Sequence, residues 1–150
     1  MREHPDHHDA ELLLRLYDLR REAKLREARE WFTREFQAES FADLVKKYPR
    51  GSEDNARFRM VVSYWDMAAS LVNHGLIKGE FFFENTTEFW VVWEKIKPFV
   101  PEARAARKNP YMWSNLEALA GKFEQWMNRR APEALQVLRT IVVEGSSPGR

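Results

Sequence analysis

The chain contains no cysteine. Disulfides, thiolate nucleophiles and cysteine-ligated metal sites are excluded together, and a reducing cytoplasm is the expected compartment. Long apolar runs are also missing. No stretch approaches the ~18 residues that a membrane-spanning helix needs, and the opening segment MREHPDHHDAELLL lacks the apolar core of a signal peptide. No membrane association is expected. Nor is there an excess of one charge: 24 basic residues face 23 acidic ones. A nucleic-acid binder usually carries a lopsided basic balance or a basic stripe, so nucleic acid is not an expected partner. The 6 glycines are scattered, which leaves no loop to cradle a phosphate.

What remains is helical periodicity. Apolar residues recur at spacings of three and four along most of the 150 residues. The pattern predicts an all-α compact bundle of about five main helices with short additional ones. Residues 1–144 form the expected domain and 145–150 a disordered tail. The first helix is expected to begin near Asp6 or Asp9. It carries a stripe of Leu12, Leu16, Leu19 and Ala23, then one of Leu25, Ala28, Phe32 and Phe36 on nearly the opposite side. Either a break lies near Arg21–Lys24 or one long helix packs on two neighbours. No Gly or Pro marks a break, which favours a continuous helix to about Phe36.

Ser40 and Asp43 resemble a capping box before a short helix that ends ahead of Pro49. Ser52 is the expected cap of the next helix, with Glu53 and Asp54 in its first turn and Gly75 at its end. This segment is apolar around most of its circumference, so other helices should enclose it. Residues 80–93 are rich in aromatic and β-branched residues, and Glu84–Glu88 could serve as a hairpin loop. However, Phe82, Thr86, Phe89, Trp93 and Ile96 share one helical face, and a lone hairpin is marginal. Helix is the expectation. Pro98 and Pro101 should end or kink it. Asn109-Pro110 suggests the start of another helix, and Pro132 opens the last.

One ordered set of landmarks runs from Asn55 to about Met127. It comprises Asn55-Ala-Arg-Phe58, Tyr64-Trp65-Asp66, Leu71-Val72, Gly75-Leu76-Ile77, Trp93-Glu94, Lys97-Pro98, Arg104, Asn109-Pro110, Trp113 and Glu117-Ala-Leu119. Together they resemble a bacterial family of uncharacterised helical proteins, known only as a domain of unknown function. The resemblance implies helix over residues 80–97 and carries no activity with it.

No residue is assigned a catalytic role, and no cofactor or metal is expected. His4, His7 and His8 with Asp6 and Asp9 have ligand chemistry, but Pro5 and the nearby chain end make an ordered metal site a poor fit. Ser63, Ser70, Ser114 and His74 lack the Gly-rich elbow of a serine nucleophile. Two function classes remain. The first is a non-enzymatic interaction module that docks a protein or a second copy on an apolar helix face, with Tyr17, Leu25, Trp31 and Phe32 as interface residues. The alternative is a small-molecule or enzymatic site in an aromatic cleft between the central helix and residues 82–113. Trp65, Trp93, Arg104 and Trp113 would line it, with Asp66 or Glu117 as the polar element.

Overall fold

The computed structural model describes residues 4–145, and these contain helices and turns but no strand. In chain order the helices are α1 (His7–Arg20), α2 (Ala23–Arg34), α3 (Phe41–Lys47), α4 (Glu53–Asn73) and α5 (Gly79–Asn85). They are followed by α6 (Glu88–Ile96), a 3₁₀ turn (Lys97–Phe99), α7 (Val100–Arg107), α8 (Ser114–Arg130) and α9 (Pro132–Gly145). Apart from Gly145, the expected tail falls outside the described residues.

Three helix starts follow from short polar side chains at the N-cap. Asp6 accepts the amides of His8 and Asp9 ahead of α1, and Asp9 returns a bond to the Asp6 amide. Asp9 is itself fully buried and takes the Lys78 amide at 2.6 Å, which pins α1 to the turn before α5. Ser40 and Ser52 cap α3 and α4 as expected. α4 ends where Gly75 takes φ 80°, with the Gly75 and Leu76 amides bonding back to Val72 and Leu71.

The continuous first helix is not what forms: the chain breaks at Arg21–Glu22. The amides of Arg21 and Glu22 close a tight turn onto Asp18 and Leu19. Glu22 is extended (ψ 139°), and its carboxylate accepts the Leu25 amide at 3.0 Å. The backbone amides of Lys24 and Leu25 hold its pKa below the usual carboxylate range. A glutamate thus does the capping that a serine or aspartate usually does. The bend brings Leu16 on α1 and Leu25, Ala28 and Phe32 on α2 into one core, while Leu19 and Ala23 of the first stripe stay at the surface.

α4 is the axis of the bundle, packed most extensively against α2 and α8. Val61, Val62, Trp65, Ala68 and Ala69 on it are all but sealed from solvent. Residues 80–97 are helical, with a break at Thr86–Thr87 where a hairpin loop had been conceivable. Aromatic rings fill two zones. Phe32 stacks on Phe36 at 4.7 Å, and Phe58 and Phe99 close around that pair. Phe82, Phe83, Phe89 and Phe123 form the second. Each such buried ring contributes roughly 1.5–3 kcal/mol, so the aromatic surplus of the sequence is largely core.

Candidate functional site

The tryptophans sort by exposure. Trp31, Trp65, Trp90 and Trp93 are buried, while Trp113 and Trp126 are partly accessible. Of the cleft residues expected from sequence, Trp65 is therefore an interior side chain. Its Nε1 donates to Glu88 at 2.8 Å, and the same carboxylate takes two bonds from Arg29 at 2.7 and 2.8 Å. Trp93 is only 7% exposed and is core as well. Neither polar element lines the expected cleft. Asp66 accepts the Leu116 and Asn115 amides at the start of α8, and burial raises its pKa above the ordinary value. Glu117 pairs with Arg104 at 3.1 Å.

The interface residues fare similarly. Leu25, Trp31 and Phe32 are buried between α2 and its neighbours, and only Tyr17 stays at the surface, 47% exposed. Helical spacing marks their face as apolar, and this chain's own helices cover it. The histidines at the start are exposed, with His7 beside Glu11. Among the described residues no group of three or more His, Asp or Glu is placed to hold a metal ion.

Trp113 and Arg104 instead serve a different hollow, Trp113 in its wall and Arg104 through the Met112 carbonyl. The stretch between α7 and α8 was expected to be the first turn of a helix begun by Asn109-Pro110. It folds as a tight turn instead: Asn109 caps the Tyr111 amide with its side chain, and α8 starts only at Ser114. The N-terminal amides of α8 are satisfied from α4 by Asp66, so Asn109 is not needed there. Arg104 Nε holds the Met112 carbonyl at 2.9 Å. Both ends of the turn are left-handed, with Lys108 at φ 53° and Trp113 at φ 59°. For a bulky residue this conformation costs about 1–3 kcal/mol and persists only where the surroundings impose it. Here they do: the Trp113 ring lies edge-on to Phe58 and Phe99.

Together α3, the start of α4 and this turn enclose a groove of about 520 Å³. Its apolar wall is Phe41, Leu44, Val45, Tyr48, Phe58 and Trp113. Its polar groups are Arg50, Arg59, Arg107 and Asn55, and no carboxylate among the described residues lines it. Asn55 is committed, holding the Tyr48 carbonyl at 3.0 Å and accepting from Arg59 Nε at 3.0 Å. Arg107 lies over the Phe41 ring at 5.9 Å. None of the three arginines pairs with a carboxylate among the described residues. Arg59, Phe58 and Trp113 also line an adjoining hollow with Met60 and Ser63. An uncompensated positive field over an aromatic wall suits an anion with an apolar body.

Sequence reasoning named Trp113 but missed the arginines. A signal was present. Arg57 has Glu53 and Asp54 at helical spacing and pairs with both. Arg59 and Arg107 have no acidic residue three or four positions away on either side.

A family model described as "Domain of unknown function (DUF4760)" matches residues 5–123. The chain belongs to this family. The match reaches further towards the N-terminus than the landmarks from Asn55 onward and stops inside α8. It therefore takes in α1 through α7 and the whole groove, while α9 lies beyond it. Neither the comparison with curated proteins nor that with solved structures gives a match. Among the described residues no helix is long and apolar enough to cross a membrane.

Proposed function

We propose that this domain is a non-enzymatic binding module for an organic anion, with the groove between α3, α4 and the α7–α8 turn as its site. The observation that carries the reading is the set of three arginines, unpaired with any carboxylate among the described residues, around an aromatic wall. A guanidinium meets a carboxylate or phosphate with two parallel hydrogen bonds, and the rings supply the apolar contact. A volume of about 520 Å³ is that of a site for a metabolite-sized molecule. Binding is favoured over turnover because, among the described residues, the lining offers no histidine, carboxylate or lysine to move a proton, and the Tyr48 hydroxyl is engaged with the Gln37 backbone. The absence of cysteine fits a cytoplasmic setting.

The test uses anilinonaphthalene sulfonate, an aromatic anion whose fluorescence rises in an apolar site. Saturable binding is expected, weakened by salt and displaced by naphthyl phosphate. Arg59→Ala and Arg107→Ala should each weaken it roughly tenfold, the scale of one charge-assisted bond, with the unfolding midpoint unchanged. Dye binding that is absent, or indifferent to both substitutions, would refute the assignment.

A further inference from the structure

A second hollow shares no residue with the groove. It lies between α1, α4 and α5, holds about 170 Å³, and is lined by Leu13, Leu16, Tyr64, Trp65 and Phe82, with Leu14 and Tyr17 at its rim. Leu14 and Tyr17 are 63% and 47% exposed, so the hollow opens to solvent. Its walls are fixed in advance. Tyr64 donates its hydroxyl to the Leu16 carbonyl, and Trp65 is anchored by Glu88. A preformed apolar cavity of roughly 150 Å³ accepts one benzene ring.

Besides Asn85, whose side-chain amide is spent on the Phe81 carbonyl, two polar features break the apolar lining. The Thr86 hydroxyl is buried and has no hydrogen-bond partner, the only such side-chain atom among the described residues. Native folds rarely leave a buried hydroxyl unsatisfied, and an exception calls for an explanation. The break between α5 and α6 places this threonine in the lining, at the end of α5. The other feature is Arg20, which also lines the hollow and rests over the Tyr17 ring at 4.8 Å. It pairs with no carboxylate among the described residues.

We propose that this hollow is a binding site for a small aromatic acid of one ring. The ring fills the space beside Trp65 and Phe82, the carboxylate meets Arg20, and a polar ring substituent satisfies the Thr86 hydroxyl, which turns about its Cα–Cβ bond from its sealed position to meet it. The cavity volume sets the size, the lining sets the apolar body, and the two unpaired groups set the polar ends. This site is independent of the arginine groove, and either can fail without the other.

The experiment is an NMR titration of the intact chain with para-hydroxybenzoate, benzoate and toluene, followed at the Trp65 indole and the Thr86 amide. Para-hydroxybenzoate should give saturable shifts at both and bind most tightly. Thr86→Val keeps the shape and removes the hydroxyl. It should raise the unfolding midpoint, because the orphan is gone, while weakening para-hydroxybenzoate roughly fivefold and leaving toluene unchanged. Arg20→Ala should weaken both acids and spare toluene. Neither substitution should alter dye binding in the groove. Shifts that stay linear, that appear elsewhere, or that ignore both substitutions would overturn the proposal. So would a concentration-dependent mass that Leu14→Glu abolishes, which would make a second copy the occupant.

Discussion

Arginine occupies two contrasting environments in this protein. Between α2, α4 and α6, Arg29 is largely enclosed, and each of its nitrogens has an acceptor: two on Glu88 and one on the Arg20 carbonyl. Its pKa is raised, chiefly by the Glu88 bonds. Around the groove, Arg50, Arg59 and Arg107 face solvent and pair with no carboxylate among the described residues. The first arrangement satisfies charge inside the fold and leaves nothing for a ligand. The second keeps the charge hydrated and available. Removing an arginine of the second kind should therefore alter binding and spare stability, and disturbing the first should do the reverse.

The sharpest way to break that contrast is Glu88→Ala. It strands the Arg29 guanidinium and the Trp65 indole N–H together, and losing one partner of a largely buried pair costs about 3–5 kcal/mol. Denaturant unfolding should show a loss near the lower figure, since both side chains keep about a fifth of their surface in water. Arg107→Ala, by comparison, should stay within about 0.5 kcal/mol of the parent. Equal losses for the two would show that the two arginine environments do not differ in energy.

Little of this contrast is visible in the sequence, although much of the fold is. Ser52, Gly75 and the stripe on α4 act through neighbours a few residues away, so their spacing announces the helix and its ends. Asp66 capping α8 and Asp9 holding the Lys78 amide act across 50 and 69 positions, and no local pattern records such partners. Leu25, Trp31 and Phe32 show the same limit. Periodicity reveals that a face is apolar but not whether α4 or a foreign surface covers it. The break at Arg21–Glu22 was hidden for another reason, because glutamate is an uncommon cap and neither Gly nor Pro punctuates the turn.

Asp66 is the acidic counterpart of an unpaired arginine: it is half-buried and served by amides rather than by a cation. Asp66→Ala should cost about 1 kcal/mol, the worth of a helix cap. Asp66→Asn keeps an oxygen for the Leu116 amide and removes the desolvated charge, so it should be nearly neutral. The pH dependence separates the two roles. With its folded pKa above 3.8, Asp66 holds its proton longer in the folded chain than in the unfolded one. Stability from this group therefore falls as pH rises through that window. The fall should be present in the parent and missing from Asp66→Asn in thermal melts between about pH 3 and 6. An identical profile in both would show that the carboxylate titrates as if unburied.

Lys95 lies between the two kinds of arginine and gives the smallest effect. It has no carboxylate among the described residues. Its ammonium instead closes the C-terminus of α2, donating to the carbonyls of Phe32 at 2.6 Å and Thr33 at 3.3 Å. It also lies over the rings of Phe32 and Phe36. Burial pushes its pKa down from 10.5 to about 8. Between those values the unfolded chain binds more protons than the folded one, so this group adds stability as pH rises from about 8 towards 10.5. Lys95→Met removes the titration together with two hydrogen bonds. Near neutral pH those losses and the relief of desolvation offset each other, leaving a net change under about 1 kcal/mol. Above pH 8 the parent should gain on the variant in melting temperature. A constant difference across that range would mean that the carbonyls and rings hold the ammonium charged as firmly as water does, which would place Lys95 with the satisfied arginine of the interior.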